Sequence, residues 1–172
     1  MGSKGPIYLA PYDSTWPLEF EAEAARIERA CGDLEITLEH VGSTAVPGLA
    51  AKPIIDIVAG RPPRARLAPY VAAMRQIGYE HLGAYGVPGR DYFRRGSPRS
   101  HHVHMVSRTS AFWRKHLAFR DYLRTHADAA REYEVLKREL ARVSGENHMA
   151  YVTGKGPFVR RILREAALQV SS

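Results

Sequence analysis

The sequence predicts one α/β (α+β) domain, a mixed β-sheet with flanking helices followed by a helical C-terminal section. Three observations carry that expectation. A chain of 172 residues suits a single core, since domains commonly hold about 100–150 residues. The run Pro53-Ile54-Ile55-Asp56-Ile57-Val58-Ala59 is apolar on both faces, the pattern of a central strand. From Ser110 onward apolar residues recur at helical spacing. The domain is expected to span residues 6–170; Met1-Gly2-Ser3 reads as an expression remnant and is left out of the fold reasoning.

The elements follow in order. Asp13 or Ser14 can cap a first helix that runs to about Cys31, with Pro17 near its first turn. Phe20, Ala24, Ile27 and Cys31 form its apolar stripe, and Gly32-Asp33 stops it. Leu34 to Val41 reads as a strand, with Ile36 and Leu38 on one face and Thr37 and Glu39 on the other. Gly42-Ser43-Thr44 turns into a short helix broken at Pro47-Gly48, and the central strand ends at Arg61-Pro62-Pro63. Leu67, Val71, Met74 and Ile77 mark a second helix that stops at Gly78. Two further strands are Asp91 to Arg95 and His102 to Ser107, and Gly83, Gly86, Pro88 and Gly89 predict a mobile loop. Phe112, Phe119 and Leu123 mark the next helix; Tyr133, Leu136, Leu140 and Val143 mark another. Ser144-Gly145 then separates a last helix that starts at Pro157 and points Phe158, Ile162 and Ala166 inward.

Composition narrows the function classes. No stretch approaches the roughly 18 continuous apolar residues of a membrane helix, and the start lacks the apolar run of a secretory signal. Cys31 is the only cysteine, so an internal disulfide and a Cys-based zinc site are excluded, and a reducing cytoplasm fits. The net charge of +7 points to an anionic partner, although basic surfaces also serve solubility alone.

The chemistry concentrates between His40 and Asp56. A strand delivers Gly42 and Ser43 to a helix start, where backbone N–H groups can hold a phosphate and glycine permits close approach. Thr44 belongs to the same turn, Lys52 adds a point charge, and Ser43 adds a hydroxyl. Asp56 then sits inside an apolar strand, where a carboxylate is costly unless paired, coordinated to metal or protonated. Taken singly these signals are weak. Gly-Ser after a strand is usually only a turn, and an Asp in a strand often bonds a neighbouring backbone.

Their combination, however, resembles the signature of the GrpB family, a group placed in the nucleotidyltransferase superfamily. The resemblance extends from Ile7-Tyr8-Leu9-Ala10-Pro11-Tyr12-Asp13 through Trp16 and His102-Val103-His104 to Phe119-Arg120-Asp121-Tyr122-Leu123-Arg124. It continues through Tyr133-Glu134-Val135-Leu136-Lys137 and Tyr151-Val152-Thr153-Gly154-Lys155. It implies a nucleotidyltransferase-like sheet in which a strand ends in Gly-Ser and the next strand carries two acids one position apart. A third acid comes from a later strand, and the set binds divalent metals that neutralise a nucleoside triphosphate. Gly42-Ser43 match the first element and Asp56 the first acid, but position 58 is Val58 and the third place falls on His102-Val103-His104.

Two further groups are expected at the site. Asp56, His104 and His40 are candidate metal ligands, for magnesium or manganese rather than zinc, and His102 and His104 are candidate acid–base groups beside Asp56. His40 shares parity with Ile36 and Leu38, so a satisfied core histidine is the competing reading; His101 lies on the opposite face, and His81, His116, His126 and His148 read as surface or helix residues. Arg94, Arg95 on its other face, Arg120 and Lys155 are candidates to hold phosphate or carboxylate. Tyr151, at i,i+4 to Lys155, would help line the cleft. Three functions remain open: transfer from an NTP or other phosphorylated compound to a small acceptor, binding of a nucleotide or small anion without transfer, and nucleic-acid binding. The last rests on charge alone and ranks lowest. The sequence is silent on the acceptor and on oligomeric state.

Overall fold

The computed structural model describes residues 6–170, which leaves Met1-Gly2-Ser3 outside. Its strands are β1 (Thr37–Val41), β2 (Ile55–Arg61), β3 (Glu80–His81), β4 (Asp91–Arg95) and β5 (His101–Ser107). They form one mixed sheet in the order β1-β2-β5-β4-β3, in which β2 and β5 are parallel and the other pairs antiparallel. The expected central strand does lie inside the sheet, between β1 and β5. The first strand is shorter than expected, beginning at Thr37 rather than Leu34. The two-residue β3 had no readable signal, because two residues cannot show alternation.

The helices are α1 (Trp16–Cys31), α2 (Leu67–Gln76), α3 (Ala111–Thr125), α4 (Ala127–Ser144), α5 (His148–Gly154) and α6 (Gly156–Val170). Thr15, not Asp13 or Ser14, holds the N-cap position of α1. Asp13 acts one step earlier, where its carboxylate accepts from the Thr15 backbone N–H at 2.8 Å and its hydroxyl at 2.7 Å. Ser110 caps α3 by accepting from the Trp113 N–H at 3.1 Å. Helix α5 escaped the sequence reading, being only seven residues long; its cap is Asn147, which accepts from the Ala150 N–H. No helix among the described residues is long and apolar enough to cross a membrane.

Cross-strand partners share a face of the pleat, so the register sorts the sheet cleanly. Ile55, Ile57, Ala59, Phe93, Val103 and Met105 face α1 and α2, where they pack on Trp16, Ile27, Cys31, Tyr70 and Met74. On the other face Val41, Val58 and Val106 pack beneath Phe112, Trp113 and Leu117 of α3. A third cluster joins α3, α4 and α6 to the β1–β2 connection through Val46, Leu49, Leu123, Tyr133, Phe158 and Ile162. Fully burying side chains of this size contributes roughly 1.5–3 kcal/mol each before entropy is counted. Val143 is a correction to the expected α4 stripe, since it is exposed to solvent, whereas Lys137 is buried.

Candidate functional site

The register places Asp56 beside His102, with Val41 opposite Asp56 on β1 and Val58 beside His104. Asp56, His102 and His104 therefore stand on the α3 face of the sheet, but ahead of the apolar patch that α3 covers. His102 Nδ1 lies 3.2 Å from Asp56 Oδ1, and His104 Nε2 lies 3.9 Å from the same oxygen. Arg90 donates toward His104 Nδ1 at 3.4 Å. A guanidinium can only donate, so His104 accepts at Nδ1 and carries its proton on Nε2, directed at the carboxylate. The same logic puts a proton on His102 Nδ1. His102 Nε2 is then an enclosed lone pair with no protein hydrogen-bond partner.

Burial alone would raise the Asp56 carboxyl. Hydrogen bonds from His102 and His104 outweigh it and hold the group far below the usual carboxylate range. Burial lowers His104, against the pull of Asp56, so it is mainly neutral at pH 7. Gly42 closes the floor. It adopts φ 74°, and a Cβ built there would meet Asp56 Oδ2 at 2.9 Å. The glycine is needed for its conformation and for the space the carboxylate fills.

A cleft of about 780 Å³ opens above this floor, lined by the Gly42–Thr44 turn, Asp56, His102 and His104, by Tyr85 to Arg90 of the glycine-rich loop, and by α4 and α5. Among the described residues Asp56 is its one acidic lining residue, against Lys52, Arg90, Lys137 and Lys155. The Lys52 and Lys155 ammonium groups sit 4.4 and 4.6 Å from the centroid of the Tyr151 ring. The Lys137 ammonium donates to the Ala50 carbonyl, and burial, then the neighbouring Lys155, lowers it to about 7. Gly154 permits this crowding, because its Cα packs directly on Leu140 and seats α5 against α4.

The chain matches the GrpB protein family over residues 6–165. It belongs to the GrpB family. UPF0157 protein PA4798 of Pseudomonas aeruginosa is 42% identical over 93% of this chain and 67% of its own length. UPF0157 protein YqkA of Bacillus subtilis is 35% identical over 91% of this chain, which spans about half (46%) of that relative. The crystal structure of conserved protein GrpB from Enterococcus faecalis aligns with TM-score 0.85 and 34% identity, covering 96% of this chain and all of that one. Terminal uridylyl transferase 4 from Trypanosoma brucei, with bound dUTP, aligns with TM-score 0.50 and 14% identity over 78% of this chain and 46% of its own. That likeness establishes the nucleotidyltransferase-like fold and nothing finer.

Of the residues expected at the site of this GrpB chain, the cleft brings together Gly42, Ser43, Thr44, Lys52, Asp56, His102, His104, Tyr151 and Lys155. Four do not join them. His40 pairs with Ile57 and so faces the α1 side, stacked on Phe20 at 4.9 Å with Nε2 bonded to Thr44 Oγ1 at 2.9 Å. It is a satisfied core histidine and cannot share a metal with Asp56. Arg94 is held by Glu80, its antiparallel partner, with Nη2 3.0 Å from the carboxylate. Arg120 is buried between α3 and β1, donating to Glu39 at 2.6 Å and to the His40 carbonyl at 3.0 Å. Arg95 and His101 also stay on the α1 face, where Arg95 bonds Glu23 at 2.7 Å. The helix start expected after Gly42 is a single 3₁₀ turn, Ser43–Ala45, too short to build up a useful dipole.

The cleft also contains residues the sequence reading passed over: Arg90, Tyr92, His116, Lys137 and His148. His116 sits one helical turn after Phe112 on α3, stacks on it at 3.9 Å and donates Nδ1 to its carbonyl. His148 Nδ1 lies 3.4 Å from Lys52 Nζ. Periodicity gave no hint of either, because both histidines belong to helix ends or faces that read as solvated.

The fold family implies divalent metals held by a set of acids, and the donors here do not fit that group. Val58, at the place of the second acid, is fully buried in the apolar cluster under α3 and does not reach the cleft. Among the described residues no three His, Cys, Asp or Glu side chains converge as a metal-holding set. Both imidazoles next to Asp56 are instead turned toward it, His102 as a hydrogen-bond donor at 3.2 Å and His104 in a longer charge contact at 3.9 Å.

Proposed function

We propose that this GrpB chain takes an NTP or another phosphorylated compound in the cleft and transfers a group from it to a small acceptor. One observation carries the reading: an ionised carboxylate, Asp56, holds two imidazoles at the floor of a cleft that also receives Lys52, Arg90, Lys137 and Lys155. The phosphates lie against Ser43, Lys52 and Lys155. The acceptor oxygen attacks phosphorus, its proton passes to His102 Nε2, and the bond to the leaving phosphate or pyrophosphate breaks. Asp56 orients the His102 ring and stabilises its protonated form, a role suited to a carboxyl that stays ionised. His102 Nε2 is enclosed, so neighbouring side chains must shift for an acceptor to reach it.

Binding of a nucleotide or anion without transfer is the second reading. The buried Val58 favours it, because a site lacking the second acid has lost one means of activating an acceptor. ATP separates the two, with water standing in for the acceptor. The transfer reading expects saturable ATP binding by calorimetry and slow release of phosphate or pyrophosphate. Asp56→Asn should cut that release by about 10²–10⁴-fold while ATP still binds. Binding with no turnover in either protein would leave the binding reading, and no binding at millimolar ATP would defeat both.

A further inference from the structure

We propose that the cleft recognises a nucleoside phosphate by stacking its base on Tyr85, so that the ligand is a nucleotide rather than a phosphate chain alone. The inference rests on the reading that the cleft receives a phosphorylated compound, and it names what that compound carries. Single exposed apolar residues are ordinary on a protein surface. Here, however, Tyr85 (59% exposed) from the glycine-rich loop and Met149 (71%) and Val152 (54%) from α5 line one cleft. Phosphate oxygens gain nothing from such a lining, whereas the flat face of a base does.

Tyr85 is also held in place. Among the described residues it is the one non-glycine residue with a positive φ, 45°. A bulky side chain keeps that conformation only where its surroundings enforce it. Arg90 supplies part of the constraint, its Nη2 donating to the Ala84 carbonyl at 3.0 Å and the Tyr85 carbonyl at 2.9 Å. The Tyr85 ring stacks on Tyr92, with 5.3 Å between centroids and 23° between planes. Tyr92 is buried, and the Arg90 guanidinium lies 5.1 Å from its ring centroid. The same ring adjoins His102 and His104 at 5.5 and 5.3 Å. An aromatic wall therefore runs from the two histidines of the floor, through Tyr92, to the exposed Tyr85. A ring already fixed in this way loses little freedom when a base lies on it. Stacking of this kind accepts any base, because every base has a π face, so it selects the class of ligand and not the letter.

The test is calorimetric titration of the full chain with ATP and, separately, with inorganic tripolyphosphate, in the parent, Tyr85→Phe and Tyr85→Gly. Glycine accepts a φ of 45° freely, so Tyr85→Gly removes the ring without straining the loop; circular dichroism and melting would confirm that both variants fold. Tyr85→Gly should weaken ATP about tenfold, the loss of one base–aromatic stack, and leave tripolyphosphate within about twofold. Tyr85→Phe, which keeps the ring, should bind both probes as the parent does. ATP affinity unchanged in Tyr85→Gly would overturn the inference while leaving the phosphorylated-ligand reading intact. Equal weakening of both probes in Tyr85→Gly would also overturn it, since Tyr85 would then shape the loop rather than hold a base. Loss of ATP binding in Tyr85→Phe would assign the contact to the hydroxyl and overturn it too. Binding of neither probe to the parent would remove the phosphorylated-ligand reading as well.

Discussion

Gly42 and Asp56 occupy one space: a Cβ on the glycine would stand 2.9 Å from Oδ2 of the carboxylate. The turn that leaves β1 is thus shaped around an acid that arrives on β2. Gly42→Ala meets two penalties, strain at φ 74° and the clash with Asp56. Gly48→Ala meets only the first, because its φ is 80° and nothing lies within 4 Å. Strain of this kind costs roughly 1–3 kcal/mol. Chemical denaturation should therefore show Gly42→Ala as the more damaging, and ATP affinity should change in it alone. Equal losses in both variants would mean that the carboxylate moves aside freely.

His40 sets part of the acid limit of the fold. Burial lowers it from an ordinary 6.5 to about 4. Between those values the unfolded chain binds a proton that the folded chain does not, so stability falls as pH drops through this window. The effect is full below about pH 4 and is on the order of 3 kcal/mol. His40→Gln keeps a partner for Thr44 and cannot become charged. Its urea midpoint should vary less than the parent's between pH 6.5 and 4, despite a uniform loss from the missing stack on Phe20. A parallel decline in both proteins would assign the acid limit to other groups.

Lys137 links anion binding to protons. The groups facing it are Lys155, Glu134, Arg138 and the Tyr133 ring. With its folded value near 7 against an ordinary 10.5, the amine is mainly neutral at pH 8. In the unliganded protein the unfolded state binds more protons between these values, so this lysine makes the fold more stable as pH rises there. An incoming phosphate favours the ammonium form, so binding at pH 8 should take up a proton, about one at most, and affinity should fall with rising pH. Titrations at pH 8 in Tris and in HEPES, whose ionisation enthalpies differ, would count that proton. Lys137→Met should abolish the difference; a difference that persists would point to another group.

How much of this was readable from residues alone depends on what fixed each position. Alternation along β5 sufficed to put His102 and His104 on one face, but Asp56 joins them only through the parallel β2–β5 register, which no local pattern encodes. Parity with Ile36 and Leu38 offered the core reading of His40 but did not decide it against metal binding. The places of Arg94 and Arg120 were not legible, because their neutralising partners, Glu80 and Glu39, come from strands whose pairing no local pattern encodes. Lys137 was hidden for a different reason. A lysine beside Leu136 and one turn from Tyr133 reads as the solvated edge of an apolar stripe. It is buried because the β1–β2 connection brings the Ala50 carbonyl over that edge of α4.

Arg94 supplies a control for the basic residues. Its partner Glu80 keeps 55% of its side-chain exposure, and such exposed pairs contribute at most about 1 kcal/mol. Because Arg94 lies outside the cleft, Arg94→Met should leave ATP affinity within about twofold and shift stability by under about 1 kcal/mol. A large loss of ATP binding in this variant would place the anion beyond the cleft, toward Glu80 and β3.

Val58→Asp tests whether the missing acid could simply be restored. If the β2 strand were a metal platform that had lost one ligand, the substitution should rebuild it and be rescued by manganese. The packing predicts otherwise. Val58 is 0% exposed and sits with Val41 and Val106 under Phe112, Trp113 and Leu117 of α3. A carboxylate there would be enclosed among apolar side chains, and burying it should cost several kcal/mol, on the order of 3 or more. Val58→Thr, nearly the same shape with one hydroxyl, should cost only about 1–3 kcal/mol. Thermal melts of both variants, with and without manganese, decide the matter. A Val58→Asp protein stabilised by manganese well beyond the parent would show that α3 can yield the space for a metal. An unfolded or strongly weakened protein, indifferent to manganese, would show that the helix has closed the second acidic position.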